Sequence, residues 1–251
     1  MQGQVCLVTG ANAGIGKQTA RELAQRGATI VLVARNRERG EAARAEIAAG
    51  GYSVELLLAD FSSPASIRAM TEAFKARHDR LDVLVNNAGV YLMKREETAD
   101  GLEMTFAVNH LGYFMTTLLL WDRLLAARSA RVIVLASDAH RQAKLNFDDL
   151  QNRHKYAGFR VYAQSKLANV LFTYELDRRR GDAPITINAV HPGFVASNFG
   201  RNNGGVAGLF MTRIVPLFAK TVAEGAATSV YLASSPEVAG IRDDEPMCML
   251  I

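Results

Sequence analysis

Two cysteines, Cys6 and Cys248, are the only thiols in this chain of 251 residues. They provide neither a disulfide framework nor a thiolate metal cluster, and Cys6, set in an apolar strand pattern, reads as a small buried hydrophobe. The five histidines show no metal-ligand spacing, which argues against a metal enzyme. A basic stripe interleaved with aromatics is missing and the formal charge of +4 is mild, so nucleic acid is not an expected partner. His140 lies near Ser137 in sequence, but Ser137 has no G-x-S-x-G context, which removes a hydrolase of the nucleophile-elbow kind. No apolar run reaches the roughly 18 residues of a membrane span. No charged leader precedes MQGQVCLVTG, and a cytoplasmic protein without a membrane span is expected. Linkers, low-complexity tracts and internal repeats are also absent, so residues 1–251 are expected to form one domain.

What the chain does have is alternation. Apolar strands are expected at Gln4–Thr9, Thr29–Ala34, Ser53–Ala59, Leu81–Val85, Val132–Ala136 and Ile185–Val190. Between them lie helices at Ile15–Arg26 and Glu38–Ala49, one opened by Ser63 and Pro64 as N-cap and first position, and a long one over Gly101–Ala126. A further helix carries Val161–Leu176 and ends in the triplet Arg178 to Arg180, where cations suit the C-terminal carbonyls. Near-continuous apolar strands such as ATIVLVA call for burial on both sides. The fold class is therefore α/β, a mostly parallel sheet covered by helices on both faces.

Gly10, Asn12, Gly14, Ile15 and Gly16 fall in TGANAGIG, at the first strand-to-helix junction. Glycines there let the backbone turn tightly and approach a pyrophosphate, which sits at a helix N-terminus. The spacing is GxxxGxG, so the common dinucleotide fingerprint is matched in mechanism but not letter by letter. At the end of the second strand, where a carboxylate would bind an unphosphorylated ribose, the chain has Arg35, and Lys17 follows the glycine turn. Two cations near the adenosine ribose would attract a 2′-phosphate, which points to NADP(H); the other reading of Arg35 is a solvated surface residue. Asp60, followed by Phe61, is either an acceptor for the adenine amino group or a turn residue.

Asn86, Asn87, Ala88 and Gly89 follow the fourth strand, and small residues there let the backbone lie against a cofactor while asparagines satisfy loop carbonyls. Asn109, out of pattern among Phe106, Val108 and Leu111, bonds locally to the helix backbone or holds a water. Ser137 ends the fifth strand, where its hydroxyl can bond a substrate oxygen. Tyr162 and Lys166, four apart, share one helix face, and an ammonium there would lower the phenol pKa and make Tyr162 a general acid/base.

Taken together, Gly10/Gly14/Gly16, Asn86-Asn87-Ala88-Gly89, Asn109, Ser137, Tyr162 and Lys166 resemble a classical short-chain dehydrogenase/reductase, over nearly the whole chain up to about Gly240. The resemblance implies a single Rossmann-type domain with a seven-stranded sheet and hydride transfer at the nicotinamide C4. Ser137 would orient the carbonyl and Tyr162 would be the acid/base. Lys166 would lower the tyrosine pKa and hold the nicotinamide ribose, and Asn109 would hold the water of a proton relay. HPGFVAS, with Pro192, Gly193, Val195 and Ser197, resembles the segment that meets the nicotinamide carboxamide. TGANAGIGKQTA, SDAH, YAQSKLANVLF and HPGFVASNFG are similar to the retinol dehydrogenase-like branch, which implies NADP(H) and lipophilic alcohols, aldehydes or ketones. Animal members of that branch often have an N-terminal membrane anchor, which is not carried over to this chain.

The leading expectation is thus an NADP(H)-dependent carbonyl reductase or alcohol dehydrogenase, with an NAD(H) enzyme or a catalytically idle nucleotide-binding regulatory protein as alternatives. Substrate contacts are expected from Val90–Arg95, Ala139–Tyr156 and Phe199–Phe218, the last either a lid or an ordinary amphipathic helix. A homodimer built on the helices near Gly101 and Ala157 is expected by the same resemblance. After Gly240 the acidic run Asp243-Asp244-Glu245-Pro246 suits a strand poorly, so the last strand of the family either forms from MCMLI or is altered.

Overall fold

The computed structural model describes residues 1–193, 195 and 220–238. Six strands form one all-parallel sheet: β1 (Val5–Thr9), β2 (Thr29–Ala34), β3 (Val54–Leu58), β4 (Val83–Asn86), β5 (Ala130–Leu135) and β6 (Ile185–Val190), in the order β3-β2-β1-β4-β5-β6. The chain winds outward from β1 in one direction and, from β4 onward, in the other. The order reverses between β1 and β4, and a crevice opens outside the carboxyl ends of strands at such a reversal. Thr9–Gly10 and Asn86–Gly89 both leave the sheet there.

Alternate side chains of each strand feed two cores. Leu7, Val31, Leu84, Val132 and Ile187 pack on one face with Phe74, Tyr113 and Phe172. Cys6, Ile30, Leu32, Val83 and Ile133 pack on the other with Leu23, Ile47 and Val230. Cys6 is fully buried, and burial pushes its thiol well above the ordinary range. The second cysteine, Cys248, lies outside the described residues.

The helices begin where local chemistry satisfies their free N–H groups. Helix α1 is Gly14–Gln25; α2 (Arg37–Ala48) is capped by Asn36, whose side chain accepts from the Arg39 N–H. Helix α3 (Pro64–Lys75) has Ser63 as N-cap, accepting from the Ser66 N–H, with Pro64 at its first position, as the sequence suggests. The single long helix expected over Gly101–Ala126 is instead several pieces. Gly101 has φ +74°, and the buried Glu103 carboxylate accepts from the Thr105 and Phe106 N–H groups, so helix starts only at α4 (Met104–Phe106). A π-helical segment, Ala107–Leu111, then leads into α5 (Gly112–Leu119), and a break at Leu120 sets off α6 (Trp121–Leu125).

Helix α7 (Gly158–Arg180) runs further than the expected Val161–Leu176 at both ends and stops at Gly181, φ +58°. In its last turns Arg178 and Arg179 pair with Glu175, and Arg180 with Asp177. Helix α8 (Val222–Ser234) opens on a capping box between Thr221 and Glu224. The seventh strand implied by resemblance, the expected lid region 199–218 and the acidic run after Gly240 fall outside the described residues. Among the described residues no helix is long and apolar enough to cross a membrane.

Candidate active site

Two loops meet across the sheet reversal and are stitched together by one threonine and one asparagine. The Thr9 hydroxyl accepts from the Asn87 and Ala88 N–H groups at 2.8 and 3.0 Å, and the Asn87 amide donates to Thr9 O at 2.7 Å and Gly10 O at 3.3 Å. The stitch leaves no room for side chains. A Cβ on Gly10 would lie 2.8 Å from Ala88 Cα, and Gly10 has φ +65°. A Cβ on Gly16 would run into the Asn87 amide. Asn86, by contrast, points into the core, donating to the Thr117 hydroxyl at 2.9 Å.

The first turn of α1 is built to receive an anion. Its N-cap, Ala13, offers no side-chain cap, and its first turn has no acidic residue. The N–H groups opening this 12-residue helix therefore carry the positive end of its dipole without a capping oxygen from Ala13. Asn12, Gly14 and Ile15 border that end, all partly exposed. A pyrophosphate fits this donor set.

The flanking cations divide. Arg35, exposed at the end of β2, stands next to the α2 N-cap Asn36. Lys17 pairs with Glu46 at 2.8 Å, and Arg21 pairs with the same carboxylate. Glu46 lies nine residues into α2, about 14 Å of helix rise from the Arg35 end. Glu46 thus holds the Lys17 side chain on the α2 side of the glycine turn. Asp60 accepts through Oδ1 from the Ser62 N–H and hydroxyl, and the Phe61 ring is buried against Gly112.

On the other side of the reversal stand the residues that the sequence marks for catalysis. Ser137 leaves β5 and its hydroxyl accepts from the Ala139 N–H. Across from it on α7, Tyr162 is hydrogen-bonded to Ser137, and its ring is met edge-on by Tyr91 at 5.7 Å between centroids. Lys166, one helical turn on and 4% exposed, donates from Nζ to Leu135 O at 2.8 Å. Its amine lies 5.5 Å from the Tyr113 ring centre and 5.7 Å from that of Tyr162.

Asn109 sits fully buried in the π-helical segment. Its side chain accepts from Val90 N at 2.8 Å and donates to Val90 O at 3.0 Å and to the Ser165 hydroxyl at 3.2 Å. The amide thus holds the loop that follows Gly89, rather than bonding its own helix. The loop after β6 packs beside the segment that follows Ser137. His191 Nδ1 accepts from Asp138 N at 3.2 Å, Gly193 turns with φ +79° beside Lys220, and Val195 packs on Gly225 next to Ile15. Pro192 lies in the same turn, and Ser197 is outside the described residues.

Burial decides the electrostatics here, and it changes one sequence expectation. Tyr162 is pushed up to about 12, chiefly by burial, with the Ser137 hydrogen bond pulling it back. Lys166 is pushed down to about 7, again by burial. The expected lowering of the phenol by the ammonium is not what dominates, since an amine with that value is only half charged near neutral pH. At neutral pH Tyr162 is a protonated phenol poised to donate.

The sequence reading placed Tyr91 only within the substrate-side stretch Val90–Arg95, and it missed Tyr113 and Asn169. No spacing rule marks an aromatic behind a reactive phenol, and Asn169 reads as one polar residue in a long helix.

Between pH 7 and 10.5 the unfolded chain holds a proton on Lys166 that the folded protein does not, so stability should rise with pH over that interval. Cys6 and Tyr162, both raised, pull the opposite way above about pH 9 and 10. Between pH 7 and 9, measured by urea unfolding without nucleotide, the native chain should gain stability relative to Lys166→Met. The full difference is on the order of several kcal/mol, and parallel curves would contradict the assignment.

The model of the short chain dehydrogenase family matches residues 4–204. Retinol dehydrogenase 12 of Bos taurus is 47% identical over 234 residues, which cover 92% of this chain and 73% of that protein. Human retinol dehydrogenase 14 is 41% identical over 269 residues, covering 96% and 77%. Among solved structures, a short chain dehydrogenase from Burkholderia cenocepacia in complex with NADP aligns with a TM-score of 0.76 at 28% identity, over 96% of this chain and 94% of that one. A blue fluorescent protein from a metagenomic library in complex with NADPH gives 0.73 at 29% identity, over 94% and 93%. The sheet, the glycine turn locked to Asn87 and the Ser137–Tyr162–Lys166 arrangement agree with these likenesses: the chain is an oxidoreductase of the short chain dehydrogenase family, in its retinol dehydrogenase-like branch.

Proposed function

We propose that this oxidoreductase interconverts a lipophilic aldehyde or ketone and its alcohol with NADP(H), by acid/base catalysis through Tyr162. The observation that carries the reading is the hydrogen-bonded Ser137–Tyr162 pair with the Lys166 amine beside the phenol ring. A nicotinamide cofactor, when bound, supplies or takes the hydride. The residues that would hold it are Gly10, Asn12, Gly14, Ile15 and Gly16 at the pyrophosphate and Arg35 at a 2′-phosphate. Asp60 and Phe61 would line the adenine end, and Asn87, Ala88 and Gly89 the cleft floor. Tyr162, Lys166, Pro192, Gly193, Val195 and Ser197 would take the nicotinamide half.

In reduction, the Ser137 hydroxyl and the Tyr162 phenol both donate to the carbonyl oxygen, where negative charge develops, and Tyr162 releases its proton to it. As the phenolate forms, Lys166 is held in its ammonium form by the opposite charge, any proton it takes up coming from solvent. An apolar substrate is supported by the Tyr91 ring, which stands edge-on to Tyr162. NADP(H) is supported by the exposed Arg35, by the lack of an acid at the end of β2, and by relatives that were solved with NADP and NADPH.

Purified protein assayed with NADPH and NADH against hydrophobic aldehydes and ketones tests this reading. Tyr162→Phe should abolish nearly all turnover with nucleotide binding kept, and Ser137→Ala should lower turnover by roughly 10²–10³-fold. Near-normal turnover in Tyr162→Phe would end the assignment. Arg35→Asp should weaken NADPH binding by roughly tenfold to a hundredfold, the worth of a charge-assisted bond, and hardly change NADH binding. Tighter NADH than NADPH binding by the native chain would reverse the cofactor assignment.

A homodimer belongs to the same proposal. Phe114 and Leu118 on α5 and Leu171 and Tyr174 on α7 are each 40–46% exposed, and a Phe114–Phe172 ring contact of 5.6 Å places the two rows side by side. Light scattering should find twice the 27.3 kDa chain mass; a monomer at all concentrations would remove the dimer. Cytoplasmic placement is also proposed, on the sequence expectation alone, and recovery of the full chain only in a membrane fraction of cells would contradict it.

A further inference from the structure

Asn169 lies fully buried on α7, three residues after Lys166, and has no part in the reaction just described. Its amide nitrogen donates to Asn109 O at 2.9 Å and to Leu135 O at 3.1 Å, and its Oδ1 meets His110 Nδ1 at 3.0 Å. Two carbonyls on one side fix the amide orientation, so His110 donates through Nδ1. Leu135 O also accepts from Lys166 Nζ. Asn169 and Lys166 thus share one carbonyl at the end of β5, two residues before Ser137. The other carbonyl belongs to the π-helical segment whose Asn109 side chain holds Val90 and Ser165.

We propose that Asn169 is a positioning residue for Lys166. By occupying Asn109 O and one side of Leu135 O, it leaves the amine a single acceptor direction and keeps it between the Tyr113 and Tyr162 rings. Without that amide the Asn109 carbonyl loses its side-chain donor and the Leu135 carbonyl keeps only Lys166, and the mobile donor at hand for both is the Lys166 ammonium with its three N–H groups. The amine would be drawn toward them and away from the Tyr162 phenol. Added carbonyl acceptors favour the charged form, so the Lys166 titration would move up from its present value.

The proposal rests on the acid/base reading of Tyr162 for its kinetic test, but its titration test needs no turnover. In Asn169→Ala the pH at which stability begins to rise, measured by urea unfolding without nucleotide, should move up by about one unit. Turnover should fall about tenfold or more, with substrate KM within about threefold, as for loss of an interaction made in the transition state. Asn169→Asp discriminates further. Its protonated carboxyl can still donate to one of the carbonyls, and its ionised form cannot. Turnover relative to the native chain should be highest at the acid end and fall as pH rises.

Thr173→Val is the control. Thr173 is buried on the same helix and its hydroxyl donates to Asn169 O at 3.0 Å. This variant should lose stability without moving the onset, and keep turnover within about twofold. An unmoved onset in Asn169→Ala, or the same shift in Thr173→Val, would reduce Asn169 to a structural role and overturn the proposal. Should Asn169→Ala fail to fold, a pH-independent rate ratio in Asn169→Asp overturns it alone. If the native chain reduces no carbonyl, the functional reading fails and the onset still decides the role of Asn169.

Discussion

The site depends on one buried amine. Lys166 reaches from α7 to the last carbonyl of β5, at 2.8 Å, in a setting that excludes water. An ammonium is costly to bury, and with one carbonyl acceptor the balance is struck by lowering its pKa to about 7 rather than by a counter-ion. No carboxylate pairs with it among the described residues. The amine is consequently poised to change charge when its neighbour does, and its neighbour is the phenol of Tyr162. The tyrosine, raised to about 12, keeps its proton until a stronger base appears beside it.

Holding such an amine in place constrains everything around it. Asn109 joins the loop after β4 to Ser165 on α7, and Thr9 with Asn87 joins that same loop to the glycine turn after β1. Hydrogen bonds thus tie the loop after β4 to the glycine turn on one side and, through Asn109, to Ser165 of α7 on the other. The π-helical segment fits this arrangement, since it sets the Asn109 side chain toward Val90 and its main-chain carbonyl toward Asn169. Local departures of this kind inside helices are frequent at functional sites.

The nucleotide end follows a simpler electrostatic rule. A helix N-terminus without a capping side chain and without an acid in its first turn attracts an anion whatever else binds there. Discrimination between nicotinamide nucleotides rests on a smaller group of charges. Lys17 and Arg21 both pair with Glu46, and Arg35 is exposed at the end of β2. An exposed arginine is screened by salt, so in the proposed NADP(H) reading its hold on a 2′-phosphate would come from bidentate geometry more than from bare charge.

The sequence by itself determined the layered α/β fold, because apolar runs such as Thr29–Ala34 can only be buried on both faces of a parallel sheet. It also marked the glycine turn, Asn87, Ser137, Tyr162 and Lys166, since each is a residue type that its position demands locally. The caps at Ser63 and Pro64 were legible for the same reason. What only the tertiary structure decided depends on partners far away in the chain. Lys17 is 29 residues from Glu46, Asn109 is 56 from Ser165, and Asn169 is 34 from Leu135. The long helix expected from Gly101 is interrupted where Glu103 caps α4 and where Asn109 must turn to Val90. The pKa values of Tyr162 and Lys166 were likewise undetermined by their spacing: i,i+4 placement brings two groups together, but how much water remains around them is set by the strands and helices that close over both.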